Sequence, residues 1–234
     1  MIIDHQDLIM PDSGTRLFRF CPFDKFESLI NQSSLYFRHI SEFKDKSEGK
    51  YTDADIPIIN HALGLPYEAP QRDPFDNLYY VNCWTEGTPS DERFWKEYAP
   101  GKDGLAIAST PERIRGAFSS DKSNDVLMSH VWYIDRSSQL TFKSPQWAIN
   151  IIERCFAKDR DCFSWEKEVR LLHILKNTKE ASVPSGIFMP IELNVLIDSV
   201  FVSPFAEDNQ VQRINEFLAR NNLANIPIVK ALLG

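Results

Sequence analysis

The chain has 234 residues, enough for one large domain or a domain carrying a long insertion. Hydrophobic residues make up 43% and charged residues 25%, a balance that excludes global disorder. A formal net charge of −7 argues against broad, sequence-independent binding to nucleic acid, which needs a clustered basic face.

The N-terminus, Met1-Ile-Ile-Asp-His5, lacks the basic start and long apolar core of a signal peptide. No apolar run approaches the ~20 residues that a membrane-spanning helix needs. Cys21, Cys83, Cys155 and Cys162 form no C-x-x-C pair, so reduced thiols in a reducing cytoplasm are expected.

In chain order, Arg16–Phe20 reads as a short strand. Pro22 opens a helix with Phe23, Phe26, Leu29 and Ile30 at helical spacing, and Leu35–Arg38 is the next strand. From about residue 41 to residue 76 the pattern loosens into an irregular excursion, with a short helix near Ile56–Leu63. Leu78–Trp84 predicts a strand, Asp91–Tyr98 a short aromatic helix and Gly104–Ala108 a strand. Thr110-Pro111 starts a helix, since proline suits the first helical position.

Val126–Ile134 reads as one strand. Pro145–Lys158 reads as an amphipathic helix with Ala148, Ile151, Ile152 and Cys155 on one face. Ser164–Leu175 is the longest predicted strand, followed by strands at Ile187–Leu193 and Ser199–Val202. A helix over Glu207–Arg220 and a strand over Ile226–Leu232 close the chain. Strands and helices do not alternate strictly. That favours a single α+β domain over residues 1–234, with mixed, mainly antiparallel sheet and flanking helices. The sequences G-x-G-x-x-G, Walker A and H-E-x-x-H are all absent, so the usual phosphate cradles are missing and no metal ligand set is assigned.

The chemistry-bearing stretch is Trp165-Glu-Lys-Glu-Val-Arg170. On a strand, Glu166, Glu168 and Arg170 share one face with about 7 Å between successive groups. Beyond Arg170 both faces are largely apolar, so the polar triplet sits where the strand enters the core. Burial there raises a carboxyl pKa while a neighbouring guanidinium lowers it, a combination found in active sites and in structural ion pairs alike. The plain alternative is an exposed edge strand with a solvated E-x-E-x-R face.

The stretches Leu17-Phe-Arg-Phe-Cys-Pro22, Ser34–Glu48, Val81-Asn-Cys-Trp-Thr-Glu86, Phe94-Trp-Lys-Glu-Tyr98, Gly104-Leu-Ala-Ile107, Trp165–Arg170 and Val200-Phe-Val-Ser-Pro204 follow one another in a definite order. This order resembles a large, poorly characterised bacterial family over roughly residues 16–232. Its members read L-Y-H-Y-T, F-N-D-P-x-E, M-W-x-x-Y and W-x-Y-E-x-E-x-R in that sequence. Arg19 stands where the family has histidine, Cys21 where it has threonine, and Lys44-Asp-Lys46 replaces Asn-Asp-Pro.

The same pattern is similar, at one remove, to ADP-ribosyltransferases. These carry Arg or His on the first strand, an L-Y-F strand after a short helix, and an E-x-E pair late. The resemblance implies a transferase-like fold that consumes NAD as a substrate, in a toxin or antiphage setting. It implies catalytic roles for Glu168 (ribose hydroxyl), Glu166 (acceptor) and Arg19 (phosphate or ribose oxygen). Tyr36 or Trp95 would stack on nicotinamide, and Arg38 or Arg170 would meet phosphate.

Plainer readings stand beside these: Arg19 as a salt-bridge partner of the glutamates, Tyr36, Trp84, Trp95 and Tyr98 as core, and His173 as a satisfied core histidine. Asp45 and Glu48 read as loop solvation or capping. Two other functions remain open. One is a non-catalytic defence module that contacts a protein partner through residues 41–76. The other is a nuclease holding Mg²⁺ on Glu166, Glu168 and Asp45. Nucleic acid otherwise enters only as an acceptor, and no membrane is expected.

Overall fold

The computed structural model describes residues 1–6, 8–66, 78–118, 125–139, 151–175 and 183–234. In chain order the elements are β1 (Ile2–Ile3), β2 (Leu17–Cys21), α1 (Phe23–Gln32), β3 (Ser34–His39), α2 (Ile56–Leu63), β4 (Tyr79–Thr85), α3 (Glu92–Tyr98), β5 (Leu105–Ser109) and α4 (Pro111–Ala117). Then come β6 (Val126–His130), β7 (Trp132–Ile134), α5 (Ile151–Arg154), β8 (Ala157–Asp159), α6 (Arg160–Phe163), β9 (Glu168–Ile174), β10 (Gly186–Pro190), α7 (Leu193–Leu196), β11 (Ser199–Val202), α8 (Gln210–Arg220) and β12 (Ile228–Lys230).

The main sheet runs β1-β6-β9-β4-β2-β5-β11-β12, with β3 on β4 and β10 on β3. Its pairs are antiparallel except β1 with β6 and β11 with β12, in keeping with the mixed, mainly antiparallel α+β class read from the sequence. Among the described residues, no helix is long and apolar enough to cross a membrane.

Periodicity places the core. Phe23, Phe26, Leu29 and Ile30 of α1 are buried and pack with Leu17, Trp84, Val169 and Leu171 on one sheet face. Arg213, from the helix after β11, lies over the Phe23 ring at 4.0 Å. Across the sheet, Phe20, Phe94 and Trp95 form a separate apolar cluster, with Phe20 stacked on Phe94 at 5.1 Å and edge-on to Trp95 at 4.9 Å.

Three expectations need correction. Val126–Ile134 is not one strand: the chain breaks at Val131, whose N–H donates to Glu168 O, and β7 leaves for a second sheet with β8. The helix expected over Pro145–Lys158 is described only as α5, and Ala157–Asp159 is a strand parallel to β7; residues 145–150, Ala148 among them, lie outside the described residues. The strand expected from Ser164 begins at Glu168, after a 3-10 turn over Ser164–Glu166.

β4 carries a fork. At its end Thr85 pairs with Phe18 of β2; at its start Val81 and Tyr80 pair with Arg38 and His39 of β3. Between them β4 is bridged by side chains instead of a strand: Arg19 donates to Cys83 O at 3.0 Å, and Asn82 Nδ2 donates to Tyr36 O at 2.9 Å. This opening positions the site.

Candidate active site

The kink before β9 brings the two glutamates together. Lys167 has φ +46°, a left-handed conformation uncommon away from glycine. It turns the chain so that strand alternation starts only at Glu168. The carboxylates are therefore not arrayed along a strand face, as the sequence suggested. They converge on Lys158 Nζ, at 2.5 Å from Glu166 Oε2 and 3.0 Å from Glu168 Oε2. Lys158 comes from β8, a strand the sequence reading had made the end of a helix.

Glu168 and Arg170 do share a face of β9, two residues apart. Arg170 Nε donates to Glu168 Oε1 at 2.7 Å, and its Nη1 donates to Cys155 O at 2.6 Å. The guanidinium also lies 2.6 Å from Glu48 Oε2, close enough to pair but poorly aligned for a hydrogen bond. The strand is central, between β6 and β4, so the solvated edge-strand reading fails.

Glu48 is not a loop-solvating residue either. Its side chain is 3% exposed, and Oε1 lies 3.6 Å from Lys158 Nζ. The backbone after it requires glycine: Gly49 has φ +69°, and a Cβ there would meet Ile40 Cδ1 at 2.6 Å. Arg154 donates to the Gly49 carbonyl and fixes the loop. Three carboxylates thus surround two cations in the protein interior.

Around them, Tyr98 Oη donates to Glu166 Oε1, Thr85 Oγ1 donates to the Glu166 carbonyl, and Tyr133 Oη accepts from Glu168 N at 2.7 Å. Burial and the neighbouring carboxylates hold the Tyr98 phenol protonated.

The two glutamates differ in proton affinity. For Glu168, burial pushes upward, but Arg170 and Lys158 outweigh it and hold the carboxyl at about 2. For Glu166 burial dominates, opposed by Lys158 and reinforced by Glu168, and its pKa is raised. A fixed anion beside a carboxyl that takes up protons more readily is the division of labour expected of acid–base pairs.

A cavity of about 1050 Å³ occupies the fork. Its lining includes Glu166, Glu168, Lys158 and Glu48 together with Arg19, Tyr36, Arg38 and Lys25. Arg19 and Glu168 therefore border one hollow, both beside Cys83. Arg19 bonds the Cys83 carbonyl, and the Cys83 thiol lies near enough to Glu168 to feel its charge. Burial and the Glu168 charge hold that thiol well above its usual pKa, so it stays neutral.

Tyr36 packs on Phe188 at 5.0 Å and lies so close over Gly186 that a Cβ there would sit 2.1 Å from its ring. Tyr98, Phe94 and Trp165 form a second aromatic group at the glutamate end.

Two sequence-based assignments do not survive. Trp95 is fully buried, donates to Pro89 O at 2.7 Å and does not line the cavity; its neighbour Phe94 does. Arg170 is likewise fully buried, with its guanidinium committed to Glu168, Glu48 and Cys155, so it meets no phosphate. His173 is a core histidine, its Nδ1 2.8 Å from Asp125 O.

The Mg²⁺ reading is disfavoured too. Among the described residues, no three His, Cys, Asp or Glu side chains are placed to hold a metal ion. The Lys158 ammonium fills the space between the glutamates, and Asp45 is turned to Ser47 at 2.8 Å. Of the segment proposed as a partner surface, residues 67–76 lie outside the described residues, and Glu48 faces inward.

No family model matches the sequence, so none supports the resemblance to the uncharacterised bacterial family. No curated protein matches it. The chain is similar to solved structures of DarT from Thermus sp. 2.9. The complex with carba-NAD+ matches at TM-score 0.42 and 11% identity over 95% of this chain and 97% of that one. The complex with NAD+ matches at TM-score 0.42 and 10% identity over 94% and 96%. The complex with ADP-ribosylated ssDNA matches at TM-score 0.39 and 12% identity over 97% of each.

Proposed function

We propose that the chain is an ADP-ribosyltransferase-like enzyme that cleaves the nicotinamide–ribose bond of NAD. One observation carries the reading: a buried carboxylate pair and a guanidinium from the far end of the chain border the same cavity, about 1050 Å³ in size. That volume lies at the upper end of small-molecule sites and suits a dinucleotide.

In the proposed step the C1′–N bond breaks, and its electron pair leaves with nicotinamide, neutralising the pyridinium. The ribose gains oxocarbenium character, as in glycoside cleavage. Glu168, ionised and fixed, stabilises that charge and accepts from a ribose hydroxyl. The acceptor nucleophile then bonds to C1′ and gives its proton to Glu166, the carboxyl of raised proton affinity. Arg19 and Arg38 hold pyrophosphate or ribose oxygens, and Tyr36 stacks on a ring of the dinucleotide. The acceptor is a protein, a nucleic acid or water.

Nicotinamide release from NAD by the purified chain tests the reading. Arg19→Ala should raise KM about 10-fold or more with a smaller effect on kcat, because it removes a charge-assisted contact made before the chemical step. A wild-type chain that releases no nicotinamide with any acceptor class, or an Arg19→Ala variant with unchanged KM, contradicts it.

A further inference from the structure

The site holds more buried charge than two reacting glutamates require. Lys158 is 6% exposed and lines the cavity. Its ammonium meets three carboxylates from three separate segments: Glu166 on the 3-10 turn, Glu168 on β9 and Glu48 on the loop before α2. The Phe163 ring covers another side at 4.3 Å. For stability alone, apolar packing often serves as well as a buried ion pair. What an apolar residue cannot do is bind two carboxylates at once and fix their separation.

We propose that Lys158 is the positioning residue of this site, cross-linking Glu166 to Glu168 so that both carboxylates face one point of the cavity, with Glu48 holding the cross-link from behind. This rests on the reading of Glu166 and Glu168 as the reacting carboxylates. The cross-link is reached from every side by defined elements. Glu48 comes from the loop, Glu166 from the turn, Glu168 and Arg170 from β9, Tyr98 from α3, Tyr133 from β7 and Cys83 from β4. Arg170 and Lys158 each contact Glu48 and Glu168, so the five charged groups form one closed network. Without the ammonium, two buried carboxylates face each other directly and cannot both stay ionised at ordinary cost.

The test is a pair of NMR titrations in the absence of NAD, one of the lysine ammonium nitrogens and one of the glutamate carboxyl carbons. In the wild type, Lys158 should stay protonated beyond the pH at which the exposed lysines titrate. In Lys158→Met, the Glu166–Glu168 pair should take up its first proton about one pH unit or more higher than in the wild type. Lys158→Arg should restore the wild-type titration. Lys158 titrating together with the surface lysines, or an unchanged carboxyl titration in Lys158→Met, overturns the proposal. If Lys158→Met does not fold, the wild-type lysine titration and Lys158→Arg decide it. In nicotinamide release, Lys158→Met should lower kcat about 100-fold with KM little changed, its acid limb moving upward by the same interval. A wild type that gives the expected titrations but releases no nicotinamide overturns the proposed reaction and leaves the cross-link standing.

Discussion

Glu168→Gln should lower kcat for nicotinamide release about 10²–10³-fold while the chain stays folded. The loss follows from removing a fixed negative charge where positive charge develops. The retained fold follows from charge balance. Three carboxylates, Glu48, Glu166 and Glu168, surround two cations, Lys158 and Arg170. Neutralising one carboxylate leaves two of each sign, and the glutamine oxygen still accepts a hydrogen bond from Arg170. The glutamine NH2 meets a Lys158 or Arg170 donor where a carboxylate oxygen accepted, so the cost to stability should be about 1–3 kcal/mol, short of unfolding. Parallel melting curves and steady-state kinetics check both halves. An unfolded variant, or one with wild-type kcat, would remove Glu168 from the proposed role.

Arg170→Met should do the reverse, with its main effect on stability. Arg170 is fully buried, and its removal leaves Lys158 alone among three carboxylates and takes away the Arg170 hydrogen bond to the Cys155 carbonyl. Breaking a buried network by removing one partner costs about 3–5 kcal/mol. For a chain of this size that is a fall in Tm of about 10 °C. A melting curve that overlays the wild type, with weakened NAD binding, would return Arg170 to the phosphate role the sequence suggested. The two variants together separate the carboxylate proposed to react from the cation that holds it.

Much of the frame was legible because short-range periodicity and burial agree. The apolar spacing of α1 matches its buried residues, β4 is buried along nearly its whole length, and Ile214 and Leu218 of α8 face the core. The E-x-E-x-R stretch was legible as the start of a buried charge cluster, since charges that enter an apolar run need partners. Its geometry was not legible. The left-handed Lys167 carries no signal in its residue type, and it is the kink there that folds Glu166 back.

Lys158 and Glu48 were missed for a related reason. The local pattern puts one at the end of an amphipathic helix and the other in an irregular loop. Only the three-dimensional meeting of β8, the loop and β9 gives either a partner. Gly49 was the available clue: a glycine directly after a glutamate marks a backbone position that needs positive φ, and so a fixed loop. Trp95 was misassigned because adjacent helical residues face different neighbours. Phe94 reaches the cavity wall while Trp95 is spent on Phe20 and the Pro89 carbonyl.

The most direct measurement is a crystal structure of the chain with a non-cleavable NAD analogue. The dinucleotide should lie in the fork of β4, its phosphates toward Arg19 and Arg38, and the nicotinamide ribose within about 4 Å of the Glu168 carboxylate. An analogue bound elsewhere on the surface, or seated in the fork with the ribose turned away from both glutamates, would contradict the proposed reaction.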